Sequence, residues 1–212
     1  MKKLYVALFI SVVLAGCRGG QQKKPAPKPS ASYQPVRIEG LERLIKPSDP
    51  PEKRIEIAQK FKDFDFMVTG YEKALIHTNR GDILIQLYGD KVPVTVKNFI
   101  RLAELGFYDS LKFHRYVPGF VIQGGDPLGN GKGDAGYTIP LEIDTTLHHI
   151  RGAVGMARAS DPNSASSQFY IVLNDVPRLD GRYCVFGQVI KGMDVVDRLR
   201  VGDVIEKIEI VR

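Results

Sequence analysis

The sequence predicts a mainly β protein, a closed antiparallel barrel with two capping helices. Three observations carry this. From Lys73 onward, short apolar runs alternate with turn residues. Two of the earliest runs flank Asn79-Arg80-Gly81-Asp82, a strong hairpin signal. Only two stretches of this region carry helical periodicity, one early and one late. Many short strands with few helices suit a sheet that closes on itself and so hides its edges.

Each element has a local reason. Ala74 to Thr78 and Ile83 to Tyr88 are the arms of the hairpin. Pro93 opens a helix whose apolar stripe is Val96, Phe99, Ile100 and Ala103, and Gly106 stops it. Strands are then predicted over Val117–Ile122, Ala153–Ala157, Phe169–Leu173, Cys184–Val189 and Val204–Ile210, with the second helix over Asp194–Leu199. In so small a barrel the side chains fill the interior, which places any binding site on the outer wall.

The amino-terminal third reads differently. Residues 1–17 begin with Lys2-Lys3 and continue through an apolar run, Leu4 to Val13, too short to span a bilayer. The run ends Leu14-Ala15-Gly16-Cys17, which resembles a bacterial lipobox, so the expected product is lipidated at Cys17 and anchored in the cell envelope on the periplasmic side. Stable anchoring takes more than one acyl chain. Residues 18–40 are rich in Pro, Lys, Gln and Ser and predict a disordered tether, stiffened by its prolines. Residues 41–70 form an extension in which a short helix follows Pro50-Pro51, with Ile55, Ala58 and Phe61 or Lys62 on one stripe. The main domain spans residues 71–212.

Charge excludes one function class. The formal net charge is +6. With Lys2, Lys3, Arg18, Lys23, Lys24, Lys28 and Arg37 set aside against Glu39, residues 41–212 hold 23 basic and 23 acidic side chains. A folded nucleic-acid-binding domain carries a basic face, and a neutral body argues against nucleic acid as a partner. Cys17 and Cys184 are the only cysteines. Acylation of Cys17 leaves no disulfide, and Cys184, within the apolar run Cys184-Val185-Phe186, reads as a buried inert thiol.

Three blocks carry the chemistry. The first is Phe113-His114-Arg115-Tyr116-Val117-Pro118-Gly119-Phe120-Val121-Ile122-Gln123-Gly124-Gly125-Asp126-Pro127. The second is Ser167-Gln168-Phe169-Tyr170-Ile171, and the third runs from Leu179-Asp180-Gly181-Arg182-Tyr183 to Cys184-Val185-Phe186-Gly187. In that order they resemble the cyclophilin family of peptidyl-prolyl isomerases, and the resemblance covers residues 71–212. It implies eight strands, proline-containing polypeptides as clients, no cofactor and no metal. Rotation about an X–Pro amide is slow because resonance stiffens its C–N bond, by roughly 18–20 kcal/mol. Lowering that barrier needs tighter binding of the twisted amide than of either planar form, not a nucleophile.

The resemblance implies a role for each matched residue. Arg115 is the catalytic residue, a permanently charged fork able to reach a carbonyl oxygen and the prolyl nitrogen. Phe120, Val121, Tyr170 and Leu179 form the proline pocket, with Met156 packed beneath it. Gln123 hydrogen-bonds the substrate backbone, and Gln168 and Tyr183 complete the binding surface. Ala157 and Arg158 lie where the substrate backbone would run. Three positions depart from the better-known pattern: Arg178 stands where many members carry tryptophan, Tyr183 where many carry histidine, and Tyr170 where phenylalanine is common. The first predicts weaker cyclosporin binding. The third adds a hydroxyl that needs a partner if buried. A proline-binding module with little catalysis is the rival reading.

Other groups are set aside. His148-His149 are adjacent, and neighbours on an extended chain point to opposite faces, which disfavours metal binding. Gly129-Asn130-Gly131-Lys132-Gly133 lacks the context of a phosphate loop and reads as a turn. No nucleophile elbow surrounds Ser160. A monomer is expected.

Overall fold

The computed structural model describes residues 33–212; the leader over 1–17 with Cys17, and most of the tether expected over 18–40, lie outside the described residues. In chain order the elements are α1 (Pro51–Lys60), β1 (Lys73–Thr78), β2 (Gly81–Leu87), α2 (Pro93–Leu105), β3 (Arg115–Val117), β4 (Val121–Gly124), β5 (Ala153–Met156), β6 (Phe169–Val172), β7 (Val185–Lys191), α3 (Met193–Arg198) and β8 (Ile205–Val211). A 3₁₀ turn covers Pro177–Leu179.

The hairpin forms where its turn residues lie, with Thr78 opposite Gly81 in the β1–β2 register. Helix α2 also follows its signals. Pro93 occupies the first turn, and Gly106 ends the helix in the left-handed region at φ 81°. There the Gly106 and Phe107 amides return to the carbonyls of Ala103 and Leu102. No residue beside α2 caps its amino end. Glu142, far along the chain, does so instead, accepting from the backbone amides of Val94 (3.1 Å) and Thr95 (2.7 Å).

Eight strands make one antiparallel sheet in the order β3-β4-β6-β5-β7-β2-β1-β8. The expected closure is corrected here. β3 and β8 end the order and share no ladder, so the sheet is a curled half-barrel. β3 has only three residues, and the chain before it turns through Ser110 at φ 64°. The seam is left to one isolated bridge, Lys112 with Val204, and irregular hydrogen bonds such as Phe113 N to Asp203 O at 2.9 Å. A second correction concerns Val117–Ile122, expected as one strand. Pro118 and Gly119 (φ 67°) break it into a tight hairpin, with Phe120 N donating to Val117 O.

The inner face of the sheet holds the core. Phe99 of α2 packs against Tyr108, Phe169 and Phe186, with ring centroids 5.1–5.5 Å apart. Cys184 is buried and free, and its thiol donates to Thr95 Oγ1. Desolvation pushes that thiol up to about 12, so it is not a nucleophile at neutral pH.

The extension is built into this body. Val36 N donates to Ile210 O and Arg212 N to Gln34 O, so residues 34–36 run antiparallel beside β8, and the chain joins the body before residue 40. Helix α1 starts within the proline pair, with Pro50 at its cap and Pro51 in its first turn, and its buried residues are Arg54 and Ala58 rather than the full stripe. Arg54 is only 3% exposed and donates to the carbonyls of Lys46, Pro47, Asp49, Gly106 and Phe107. One cation thus ties α1 and its leading loop to the carboxyl end of α2, where free carbonyls favour positive charge. Arg43 pairs with the buried Asp109, and Arg101 donates to Phe64 O from the other side. Arg54→Ala would leave these carbonyls unsatisfied and should lower stability by about 3 kcal/mol, read as the shift in urea midpoint.

Candidate active site

The site sits on the outer face of the sheet, on a single row of cross-strand neighbours. Arg115 of β3 lies opposite Gln123 of β4, Gln123 opposite Tyr170 of β6, and Tyr170 opposite Gly155 of β5. Alternation along each strand sends the intervening residues, Ile122, Phe169 and Ile171, to the inner core. Val121, Tyr170, Val172, Val176 and Val185 form a separate outer cluster, against which Phe120, Ala157, Leu179 and Tyr183 pack. Glycine at 155 is required by this row. A Cβ there would lie 2.5 Å from the Tyr170 ring.

A cavity of about 510 Å³ opens above the cluster. Arg115, Phe120, Val121, Gln123, Ala157, Arg158, Tyr170, Leu179 and Tyr183 all line it, joined by His114, Asn130 and Gly131. Two predicted residues lie elsewhere. Met156 is 1% exposed within the inner core, so it underlies the sheet and does not face the cavity. Gln168 lines a neighbouring cavity of about 290 Å³ together with Gln123, Ala157 and Arg158.

A hydrogen-bond chain fixes the polar wall. Arg115 Nη1 donates to Gln123 Oε1 at 3.0 Å. Gln123 Nε2 donates to Gln168 Oε1 at 2.9 Å, and Gln168 Nε2 reaches the carbonyls of Gly131 and Gly133. Those glycines belong to the loop read from sequence as a plain turn. Asp126, almost wholly buried, shapes that loop by accepting from the amides of Leu128, Asn130 and Gly131. Cations flank the aromatic walls. The Arg115 guanidinium lies 5.8 Å from the Phe120 ring centroid, Arg178 4.7 Å from the same ring, and Arg158 4.4 Å from Tyr183.

The Tyr170 hydroxyl finds the partner it needs in His149 Nε2, 2.9 Å away. His149 is fully buried and binds Asp180 through Nδ1 at 2.8 Å. Its neutral form satisfies both contacts, with Nδ1–H donating to Asp180 and Nε2 accepting from Tyr170. His148 also reaches Asp180, at 2.9 Å. The expectation that the two histidines face apart is therefore corrected. Residues 148–149 lie in irregular chain rather than a strand, and both rings converge on one carboxylate. Burial pushes the Asp180 carboxyl up, but the amide and ring of His149 and the ring of His148 outweigh it and hold it at about 2. Among the described residues, no group of three or more His, Cys, Asp or Glu is placed to hold a metal. No local signal in the sequence marks His149 and Asp180 as site residues, because both lie in irregular chain and their partner Tyr170 lies on β6.

An apolar recess with a hydrogen-bonded cation at its lip, and no activated nucleophile among its lining residues, suits a class of protein that binds a peptide segment and acts on it without covalent chemistry. The comparisons specify it further. Residues 73–212 match the family described as cyclophilin type peptidyl-prolyl cis-trans isomerase/CLD. A peptidyl-prolyl cis-trans isomerase of Helicobacter pylori is 40% identical over 152 residues, which is 70% of this chain and 91% of the relative. Peptidyl-prolyl cis-trans isomerase B of Bacillus subtilis is 42% identical over 145 residues, covering 68% and 99%. A crystal structure of a Cryptosporidium parvum cyclophilin type isomerase, obtained in the presence of the dipeptide Ala-Pro, superposes with a TM-score of 0.62 at 35% identity, covering 65% of this chain and 98% of that one. The chain belongs to the cyclophilin-type peptidyl-prolyl cis-trans isomerases, enzymes of class EC 5.2.1.8.

Burial of His149 holds its pKa below the ordinary 6.5, with Asp180 pulling the other way; His114 is lowered by burial in the same sense. Below pH 6.5 the unfolded chain therefore takes up more protons than the folded one, so stability present above pH 6.5 declines as pH falls through the lower folded values. Thermal unfolding measured across this range should show a falling midpoint, and His149→Gln should flatten the slope, leaving the share due to His114.

Proposed function

We propose that Arg115 supplies the catalytic interaction of this isomerase, and that the enzyme serves proline-containing polypeptides in a bacterial cell envelope, held there by lipid on Cys17. The observation that carries the catalytic part is the placement of Arg115, hydrogen-bonded to Gln123 and poised over Phe120 at the lip of the apolar recess.

The proline ring enters the recess between Phe120, Val121, Tyr170 and Leu179, where apolar contact replaces water. The preceding residue passes Ala157, whose small side chain leaves room. Rotation of the imide breaks amide resonance, and the nitrogen becomes pyramidal and gains a lone pair. The Arg115 fork donates to that nitrogen and holds the carbonyl, an interaction stronger for the twisted form than for either planar one. Gln123 holds the guanidinium in its orientation from below, and Gln168 holds Gln123. Bond rotation requires no proton transfer, so the resting protonation of every group is unchanged by turnover.

Arg115→Ala should reduce isomerisation of a proline tetrapeptide by about 100-fold or more while leaving the unfolding midpoint near wild type. A protease-free exchange measurement that finds near-normal activity would remove Arg115 from this role. The envelope assignment rests on the leader Lys2-Lys3, its apolar run and Leu14-Ala15-Gly16-Cys17. No described helix is long and apolar enough to cross a membrane. In a bacterial host, the full chain should incorporate labelled palmitate and fractionate with membranes. Cys17→Ser should do neither, and soluble, unlabelled wild-type protein would refute the anchor.

A further inference from the structure

The rim of the proline recess carries positive charge that the fold does not neutralise. Arg115 and Arg158 line the cavity, and no carboxylate does. Arg178 is exposed on the 3₁₀ turn immediately before Leu179, one of the recess walls. Among the described residues, none of these three arginines forms an ion pair with an acid. The nearby acids are otherwise engaged. Asp126 is turned into its own loop, and Asp180 into the two histidines. The adjoining cavity offers Asp134, but Lys132 and Arg158 stand beside it.

Arg178 is also held in place. Its guanidinium stacks on Phe120 at 4.7 Å, and Arg115 approaches the same ring at 5.8 Å. Stacking occupies the flat face of the group and leaves the N–H donors around its edge for a ligand. Because the side chain is already ordered by Phe120, less freedom is lost when it binds. A neutral body with an unpaired cationic rim around one recess is an arrangement that selects substrates by charge.

We propose that Arg178 is a specificity-determining residue, and that this enzyme favours X–Pro segments carrying a carboxylate side chain directly beside the proline, on one side or the other. The proposal rests on the recess being the substrate site. Selection acts through binding, so it appears in KM and not in kcat.

The test uses exchange spectroscopy on the full chain carrying Cys17→Ser, with tetrapeptides that differ only in bearing Glu or Lys beside the proline, on either side. At low ionic strength the wild type should prefer the better-placed Glu peptide over its Lys counterpart by about threefold or more. The preference should fade at about 1 M salt, where charges are screened within about 3 Å. Arg178→Gln should bring the ratio near one, and Arg178→Glu should invert it. Equal handling of Glu and Lys peptides by the wild type at low salt, or an unchanged ratio in Arg178→Gln, would overturn the proposal. If no peptide is isomerised at all, the catalytic reading fails separately, and the same ratios taken from dissociation constants in a chemical-shift titration decide the role of Arg178.

Discussion

The strict alternation of side chains across a sheet whose inner face is already full governs this molecule. Phe99, Phe169, Phe186 and their neighbours occupy the interior, so the residues between them must face outward. The cross-strand register then does the rest. It aligns Arg115, Gln123, Tyr170 and Gly155 in one row, so that residues scattered over more than fifty positions of chain meet on one wall. A slip of one residue in β4 would send Gln123 into the core and Ile122 to the surface. Accuracy in the site is therefore inherited from the packing of the core.

Local signals were legible and non-local ones were not. The Asn79–Asp82 hairpin, the Pro93 start and the Gly106 stop of α2 need only neighbouring residues to be specified, and all formed as read. Apolar content alone makes Val117–Ile122 read as one strand, but Pro118-Gly119 is the stronger local signal and turns the chain there. Closure of the sheet could not be read at all. It depends on whether the chain before β3 can ladder with β8, across some ninety residues, and only one bridge and irregular backbone bonds form there.

The site was legible to the extent that its motifs were compact. Nine of the predicted residues share the cavity: strand register aligns Arg115, Val121, Gln123 and Tyr170, and the connections between strands bring in the other five. What escaped were partners recruited from irregular chain. A guanidinium ordinarily favours solvent, yet five carbonyls at the junction of two helices make burial of Arg54 favourable. His148 and His149 were assigned strand geometry they do not have. Their convergence on Asp180 anchors the segment beneath Tyr170 and turns a departure from the common phenylalanine into a satisfied polar network.

The pairing of residues 34–36 with the end of β8 bears on how the chain matures. The first and last parts of the described polypeptide complete each other, since Gln34 and Arg212 exchange backbone contacts and β8 is flanked by β1 on its other side. Such distant pairings are slow to find, and their entropy cost falls early. A chain that emerges amino end first has no partner for residues 34–36, or for the open side of β1, until β8 follows. Completion of this edge therefore waits on β8, whatever has already formed elsewhere in the sheet.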